Sequence, residues 1–174
     1  MKRRILPVLS LVLLLAFAAC DEAGESTTPV TTGDPAGQLT SATECKSFMK
    51  STLTGPGSSS ESAVLYDYDA DARILTLTHV NAGFNCCPGE LSATVTVSEG
   101  TVTIAERERE AGCHCNCLFD LGIEVRNLSA GEWSIVFDEP YRHADDAAIS
   151  FTVDLRSEPS GEHSVPRRFY PWGI

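Results

Sequence analysis

The chain has 174 residues, 13 Lys and Arg against 24 Asp and Glu, and seven cysteines. Its length suits one domain of ordinary size and excludes a large multi-domain enzyme. The formal net charge of -11 argues against binding to nucleic acid or to an anionic membrane surface, because both need dense Lys and Arg.

The N-terminus has the three parts of a secretory signal: a positive start, an apolar run from Ile5 to Phe17 and two small residues. The run is too short for a membrane-spanning helix. Residues 17–20, FAAC, resemble the lipobox of bacterial lipoproteins, although Phe17 replaces the usual aliphatic residue. The resemblance implies removal of residues 1–19, lipidation of Cys20, for example with palmitate, and attachment to the membrane in the bacterial cell envelope, outside the cytoplasm. The alternative is an ordinary signal peptide that leaves Cys20 as a thiol.

Cleavage before Cys20 takes away three positive charges and no acidic residue, so the mature chain has a formal charge of -14. Residues 20–44 are rich in Ser, Thr, Gly, Pro and acidic side chains, which predicts a flexible tether. The serine-rich segment 54–62 predicts a loop, and it lacks the Gly-x-Ser-x-Gly pattern of a hydrolase nucleophile. Residues 45–174 are then expected to form a single domain.

Apolar residues alternate with polar ones through most of that domain, which indicates β-strands. A turn at Glu99 and Gly100 predicts a hairpin that pairs Val97 with Val102, and a second hairpin is expected across residues 67–73. About seven such strands predict an all-β sandwich. The segment Leu128–Ile135 resembles the L-x-x-G-x-Y-x-V motif of many extracytoplasmic immunoglobulin-like domains, with Trp133 at the Tyr position. The expected fold is therefore an immunoglobulin-like β-sandwich.

Six cysteines remain in the mature domain, and an even number in an exported chain suggests disulfides. If residues 113–117 are extended, their side chains lie about 6 to 7 Å apart on one core-facing side, too far for bonds among themselves. A bond between adjacent cysteines would be strained. Each of the last three is therefore expected to bond to one of the first three, in any of six connectivities; the residues are Cys45, Cys86, Cys87, Cys113, Cys115 and Cys117.

A metal site is the alternative use of this cluster, because thiolates bind copper(I) and zinc. The turn signal at residues 85–89 can bring further sulfurs near the C-x-C-x-C run, and copper(I), which accepts low coordination, fits better than zinc. A thiol-redox protein is a second alternative, although no C-x-x-C stands at a helix start. The metal-ligand candidates are Cys86, Cys87, Cys113, Cys115, Cys117 and His114.

Two other features have structural interpretations. His79 lies in phase with Leu75 and Leu77, which predicts a hydrogen-bonded histidine inside the core. Residues 106–110 alternate in charge sign, which predicts an exposed strand end that discourages edge pairing.

Three landmarks resemble those of uncharacterised bacterial lipoproteins: FNCCPG at 84–89, CHCNCLFDL at 113–121 and RRFYPWG at 167–173. That resemblance implies no activity, and we find no catalytic residues and no cofactor motif in the sequence. The leading hypothesis is a non-enzymatic, lipid-anchored envelope protein with a disulfide-stabilised sandwich, which binds a protein or glycan partner or has a structural role.

Overall fold

A computed structural model describes residues 33–46 and 60–168, which contain nine β-strands and no helix. The strands are β1 (Ala36–Ala42), β2 (Glu61–Asp69), β3 (Ile74–Asn85), β4 (Leu91–Ser98), β5 (Thr101–Glu108), β6 (Asn116–Arg126), β7 (Glu132–Asp138), β8 (Ser150–Asp154) and β9 (Ser160–Pro166). The expected all-β class is confirmed, with two strands more than the seven predicted.

The nine strands form one sheet in the order β8-β7-β5-β4-β1-β6-β3-β2-β9. Neighbours are antiparallel except β5 and β7, which are parallel. The sheet folds over so that its two halves face each other: His79 on β3 packs edge-on against Phe137 on β7, with ring centroids 5.0 Å apart. At the two ends of the strand order, Phe151 on β8 stacks on His163 on β9 at 4.7 Å. The apolar core fills the space between the two halves, as in a β-sandwich.

Both predicted hairpins are confirmed. Strands β4 and β5 pair Val97 with Val102, as their alternation indicates. Glu99 and Gly100 both have positive φ, 49° and 75°, which is the backbone geometry of a two-residue type I′ turn. Strands β2 and β3 pair from Asp69 and Ile74 onward around the other turn.

The first strand corrects the expected tether boundary, because Ala36–Ala42 lies in the middle of the sheet between β4 and β6. Its side chains are mostly exposed, so its ordering comes from backbone pairing, which a composition test does not detect. Gly37 allows this pairing, since a Cβ there would lie 2.7 Å from Val95. The ordered domain thus begins nine residues or more before the predicted start at residue 45.

The lipobox, the lipidation candidate Cys20 and the last six residues lie outside the described residues. Within residues 33–46 and 60–168, there is no helix of the length and apolar character that a membrane span requires.

Candidate metal-binding cysteine site

Among the cysteines of residues 33–46 and 60–168, one disulfide is formed, between Cys45 and Cys117, whose Cα atoms lie 5.7 Å apart. Cys117 is on β6 and is buried, as expected for a core-facing cysteine. The pairing agrees with the prediction that each late cysteine bonds to an early one. It also removes Cys117 from the alternative set of metal ligands, because a disulfide sulfur has no thiolate to offer.

The other four cysteines that the structure describes meet at one end of β3 and β6. Strand β3 ends at Asn85, strand β6 begins at Asn116, and these two residues are paired in the sheet. The cysteines that follow β3 therefore lie beside those that precede β6, and the backbone N–H of Cys86 donates to the carbonyl of Cys115 at 2.9 Å. We call Cys86, Cys87, Cys113 and Cys115 the four-cysteine site; all four are outside disulfides in this structure.

The sulfurs in this site are close enough for joint ligation. The Sγ atoms of Cys113 and Cys115 lie 3.2 Å apart. Together with the Sγ of Cys86 they form a group in which all atoms lie within 4.8 Å of one another. The thiol of Cys87 hydrogen-bonds to that of Cys113 and so lies beside the three-sulfur group.

This geometry corrects the expectation that residues 113–117 are extended. The chain bends at Cys113 and His114, and the strand begins only at Asn116. The bend brings the first two sulfurs of the C-x-C-x-C run together and turns them away from the core. Cys113 is half-buried and Cys115 is exposed, so of the three only Cys117 faces inward.

Asn85 hydrogen-bonds to both cysteine segments, the one that follows β3 and the one that precedes β6. Its Oδ1 accepts hydrogen bonds from the backbone N–H groups of Cys87 at 2.9 Å and Cys113 at 3.2 Å. The same oxygen lies 3.0 Å from the thiol of Cys113, and Nδ2 donates to the Cys113 carbonyl at 2.6 Å. Since Asn85 is 4% exposed, these bonds are shielded from water and hold the segments in fixed register.

A second layer of contacts holds Asn85. Its backbone N–H donates to Oε2 of Glu108 at 2.8 Å, and the hydroxyl of Tyr141 donates to the other oxygen of that carboxylate. The hydrogen bond to Glu108 raises the pKa of Tyr141 to about 12, because the phenol is held as the donor. The site is thereby connected to β5 and to the segment after β7.

Three of the thiols, Cys87, Cys113 and Cys115, have shifted pKa values because of hydrogen bonds within the site. The hydrogen bond from Cys87 lowers the pKa of Cys113, since it stabilises that thiolate, and the pKa of Cys87 is raised correspondingly. The hydrogen bond to Cys86 raises the pKa of Cys115 to about 12. Of Cys87, Cys113 and Cys115, only Cys113 has a lowered pKa.

Soft thiolates in this arrangement suit copper(I) or zinc. With zinc–sulfur bonds of about 2.3 Å, the sulfurs of a tetrahedral site lie about 3.8 Å apart, so the spacing here needs only small side-chain adjustments. His114, the predicted nitrogen ligand, is exposed and is not in the three-sulfur group. The donor set that the structure brings together is Cys86, Cys113 and Cys115, with Cys87 adjacent.

A separate polar network lies in the core around His79. The prediction of an inward, hydrogen-bonded histidine is confirmed: Nε2 lies 2.8 Å from Oγ of Ser62 and Nδ1 lies 2.7 Å from Oε1 of Glu106. The sequence interpretation missed both partners, because Ser62 was placed in a loop and Glu106 on an exposed strand end. Instead Ser62 is on β2, and Glu106 lies inside the sandwich on β5, which is flanked by β4 and β7.

The spacing of Ser62, His79 and Glu106 is that of a nucleophile, a base and an acid, but the side chains are 0%, 0% and 1% exposed. Ser62 Oγ also lies 3.4 Å from two backbone carbonyls that can accept its hydrogen, which leaves His79 as the donor to Ser62. Glu139 is 3.9 Å from His79 and pairs with Arg167 at 2.5 Å. With His79 protonated, the positive groups are His79 and Arg167 and the negative groups are Glu106 and Glu139, so the charges of this network balance.

Comparisons of this chain with protein-family models, curated proteins and solved structures give no match. The resemblance to bacterial lipoproteins and to the immunoglobulin-like motif therefore stays a prediction. The function has to be inferred from the residues themselves.

Proposed function

We propose that the protein is a non-enzymatic, lipid-anchored protein of the bacterial cell envelope that binds a thiophilic metal ion at the four-cysteine site. The observation that carries the proposal is the three-sulfur group of Cys86, Cys113 and Cys115, whose Sγ atoms all lie within 4.8 Å of one another. The expected protein or glycan partner stays a separate prediction, because the four-cysteine site concerns only the metal alternative.

Copper(I) is the preferred ion. It accepts three thiolate ligands, whereas structural zinc sites use four ligands in a closed tetrahedron. The group has three mutually close sulfurs, and the fourth thiol, Cys87, contacts chiefly Cys113. Zinc would need Cys87 to move into the group, so we expect weaker binding of zinc.

The lipid anchor is supported by the lipobox-like residues 17–20. A body with a formal charge of -14 is repelled by anionic headgroups, so a covalent lipid on Cys20 would be needed to keep it at the membrane. Cys20→Ser is expected to leave the precursor unlipidated and to release the protein from membranes. Lipid attachment that survives in this variant would refute the anchor.

The metal proposal is tested by titrating the mature protein, with the four-cysteine site reduced and the Cys45–Cys117 bond intact, with copper(I) in competition with a chromogenic copper(I) chelator. We expect one ion to bind per chain and to give the ultraviolet absorption of copper–thiolate bonds. Replacing the three residues of the sulfur group with serine should abolish binding, whereas the matched control Cys87→Ser should retain it. His114→Ala should also retain it, because that imidazole lies outside the group.

Two results would contradict the proposal. Reduced protein that fails to compete with the chelator has no copper site of useful affinity. Catalytic reduction of insulin by the metal-free protein would instead favour the thiol-redox alternative.

A further inference from the structure

We infer that the four-cysteine site is controlled by oxidation: two specific disulfides, Cys86–Cys115 and Cys87–Cys113, form in the metal-free protein and exclude the ion. The pairing stands on the geometry alone, and its effect on metal binding rests on the proposed function. The oxidant is a disulfide, carried by a protein or by a small molecule.

Sheet register assigns the first bond. Strands β3 and β6 pair Phe84 with Cys117 and Asn85 with Asn116, so the next antiparallel pair is Cys86 with Cys115. The 2.9 Å hydrogen bond from the N–H of Cys86 to the carbonyl of Cys115 shows that this pairing continues past the strand ends. Directly opposed residues in antiparallel strands have Cα atoms about 4.5 to 5.5 Å apart, within the range that a disulfide spans.

The bend before β6 assigns the second bond. Continued register would place Cys87 opposite His114, but the chain turns there, and the N–H of Gly112 donates to the carbonyl of Cys87 at 3.1 Å. Asn85 Oδ1 binds the backbone of both Cys87 and Cys113. The two segments are so close that a Cβ on Gly112 would lie 3.1 Å from the Cβ of Cys87. Cys113 is thus held beside Cys87.

The other two ways to pair four cysteines conflict with this geometry. One needs a bond between the adjacent Cys86 and Cys87, which strains the chain. The other needs Cys87 to reach Cys115, whereas Asn85 and the Gly112 backbone hold the Cys87 segment beside Cys113.

Each bond forms by thiol–disulfide exchange. Two cysteine thiols give up two electrons and two protons, and the disulfide of the oxidant takes them up and becomes two thiols. Both bonds together consume all four thiols, including the three of the sulfur group. A metal ion can then no longer bind, because the sulfurs of the site are no longer available as thiolates.

Double variants that leave two cysteines at the site test the pairing. With oxidised glutathione as the disulfide donor, Cys86→Ser with Cys115→Ser and Cys87→Ser with Cys113→Ser should each lose both remaining thiols to an internal bond. The mismatched control, Cys86→Ser with Cys113→Ser, leaves Cys87 and Cys115, which should stay as thiols or as mixed disulfides with glutathione. Thiol counts and intact mass distinguish these products, and circular dichroism confirms that each variant is folded.

Equal closure of the mismatched pair, or failure of either matched pair to close, would overturn the pairing. Copper(I) titration of the wild-type protein before and after oxidation tests whether the disulfides prevent metal binding, and we expect affinity to fall at least 100-fold on oxidation. Unchanged affinity would show that oxidation does not regulate binding. Absence of binding in the reduced protein would refute the proposed function but leave the pairing intact, so the two failures are distinguishable.

Discussion

The Nδ1 atom of His79 lies 2.7 Å from Oε1 of Glu106, and both residues are buried between the two halves of the folded sheet. Burial lowers the pKa of His79, but the charge and hydrogen bond of Glu106, with help from Glu139, raise it by more. The contact with Glu106 therefore favours the protonated form of His79, and it connects β3 to β5 across the core.

The first prediction concerns the pH dependence of stability. A folded-state pKa above the unfolded value of about 6.5 stabilises the fold fully below that pH, and this contribution disappears as the pH rises through the folded value. The free energy of unfolding should therefore decrease from pH 6 towards pH 9 in urea titrations under reducing conditions. Glu106→Gln removes the charge that raises the pKa, so its stability should depend less on pH; equal slopes for the two proteins would contradict this explanation.

Removing the carboxylate itself should be costly. Glu106→Ala leaves the buried His79 without its charge partner, and breaking a buried ion pair costs about 3 to 5 kcal/mol. Glu110→Ala is the matched control, because Glu110 is exposed near the same strand end, and it should change stability by less than about 0.5 kcal/mol. Urea unfolding midpoints measure both effects. Similar small losses in the two variants would show that the His79 network contributes little.

Asn85 should affect the metal site without being a ligand. Asn85→Ala removes the hydrogen bonds that hold Cys87 and Cys113 together, and losing such outer contacts typically weakens metal affinity about 10- to 100-fold. Asn116→Ala, at the position paired with Asn85 in the sheet, is the control and should alter affinity little. Competition with a copper(I) chelator gives both values, and equal affinities for the two variants would remove Asn85 from a positioning role.

A side chain at Gly112 should disturb the contact between the two cysteine segments. Its added Cβ would lie 3.1 Å from the Cβ and 3.2 Å from the carbonyl oxygen of Cys87, so Gly112→Ala requires the Cys87 segment to shift by a few tenths of an ångström. We expect slower closure of the Cys87–Cys113 bond, because that shift changes the position of Cys87 relative to Cys113. Gly131→Ala is the control, since its nearest atoms are at ordinary contact distances of 3.8 and 4.0 Å. Unchanged closure rates in Gly112→Ala would contradict the contact between the segments.

The Cys45–Cys117 bond should stabilise the whole domain. It joins residues 72 positions apart, and loss of such a bond typically costs about 2 to 5 kcal/mol, in part because the unfolded chain becomes less constrained. Cys45→Ala with Cys117→Ala should lower the urea midpoint accordingly, while copper(I) affinity of the reduced site stays within a few-fold of wild type. A loss of copper binding as large as that of the serine variants would mean that Cys117 contributes to the metal site.

Hairpins and the inward or outward position of a strand residue could be predicted from the sequence, because both depend on neighbouring residues. The alternation through Val95, Val97, Val102 and Ile104 specifies a hairpin and its inner face, and the structure has that register. The same alternation continues to Glu106 and predicts its inward position, whereas the alternating charges of residues 106–110 indicate an exposed strand end. The inward position of His79 could be predicted from its phase with Leu75 and Leu77, because no alternating charges surround it.

Features that depend on distant parts of the chain were not predictable in this way. Strand β1 is polar, and it is ordered by pairing with β6, which lies some eighty residues later in the chain. The bend at Cys113 depends on contacts with Asn85 from β3, so spacing along the C-x-C-x-C run alone indicated an extended strand. The four-cysteine site is thus a product of the sheet topology.

X-ray absorption spectroscopy of the reduced, copper(I)-loaded protein tests the metal site most directly, because it reports the number and kind of atoms bound to the ion. We predict a shell of three sulfurs, which is lost when Cys86, Cys113 and Cys115 are replaced together by serine and kept in Cys87→Ser. A shell of nitrogen or oxygen, or a sulfur shell that survives the triple replacement, would contradict the assignment of the site.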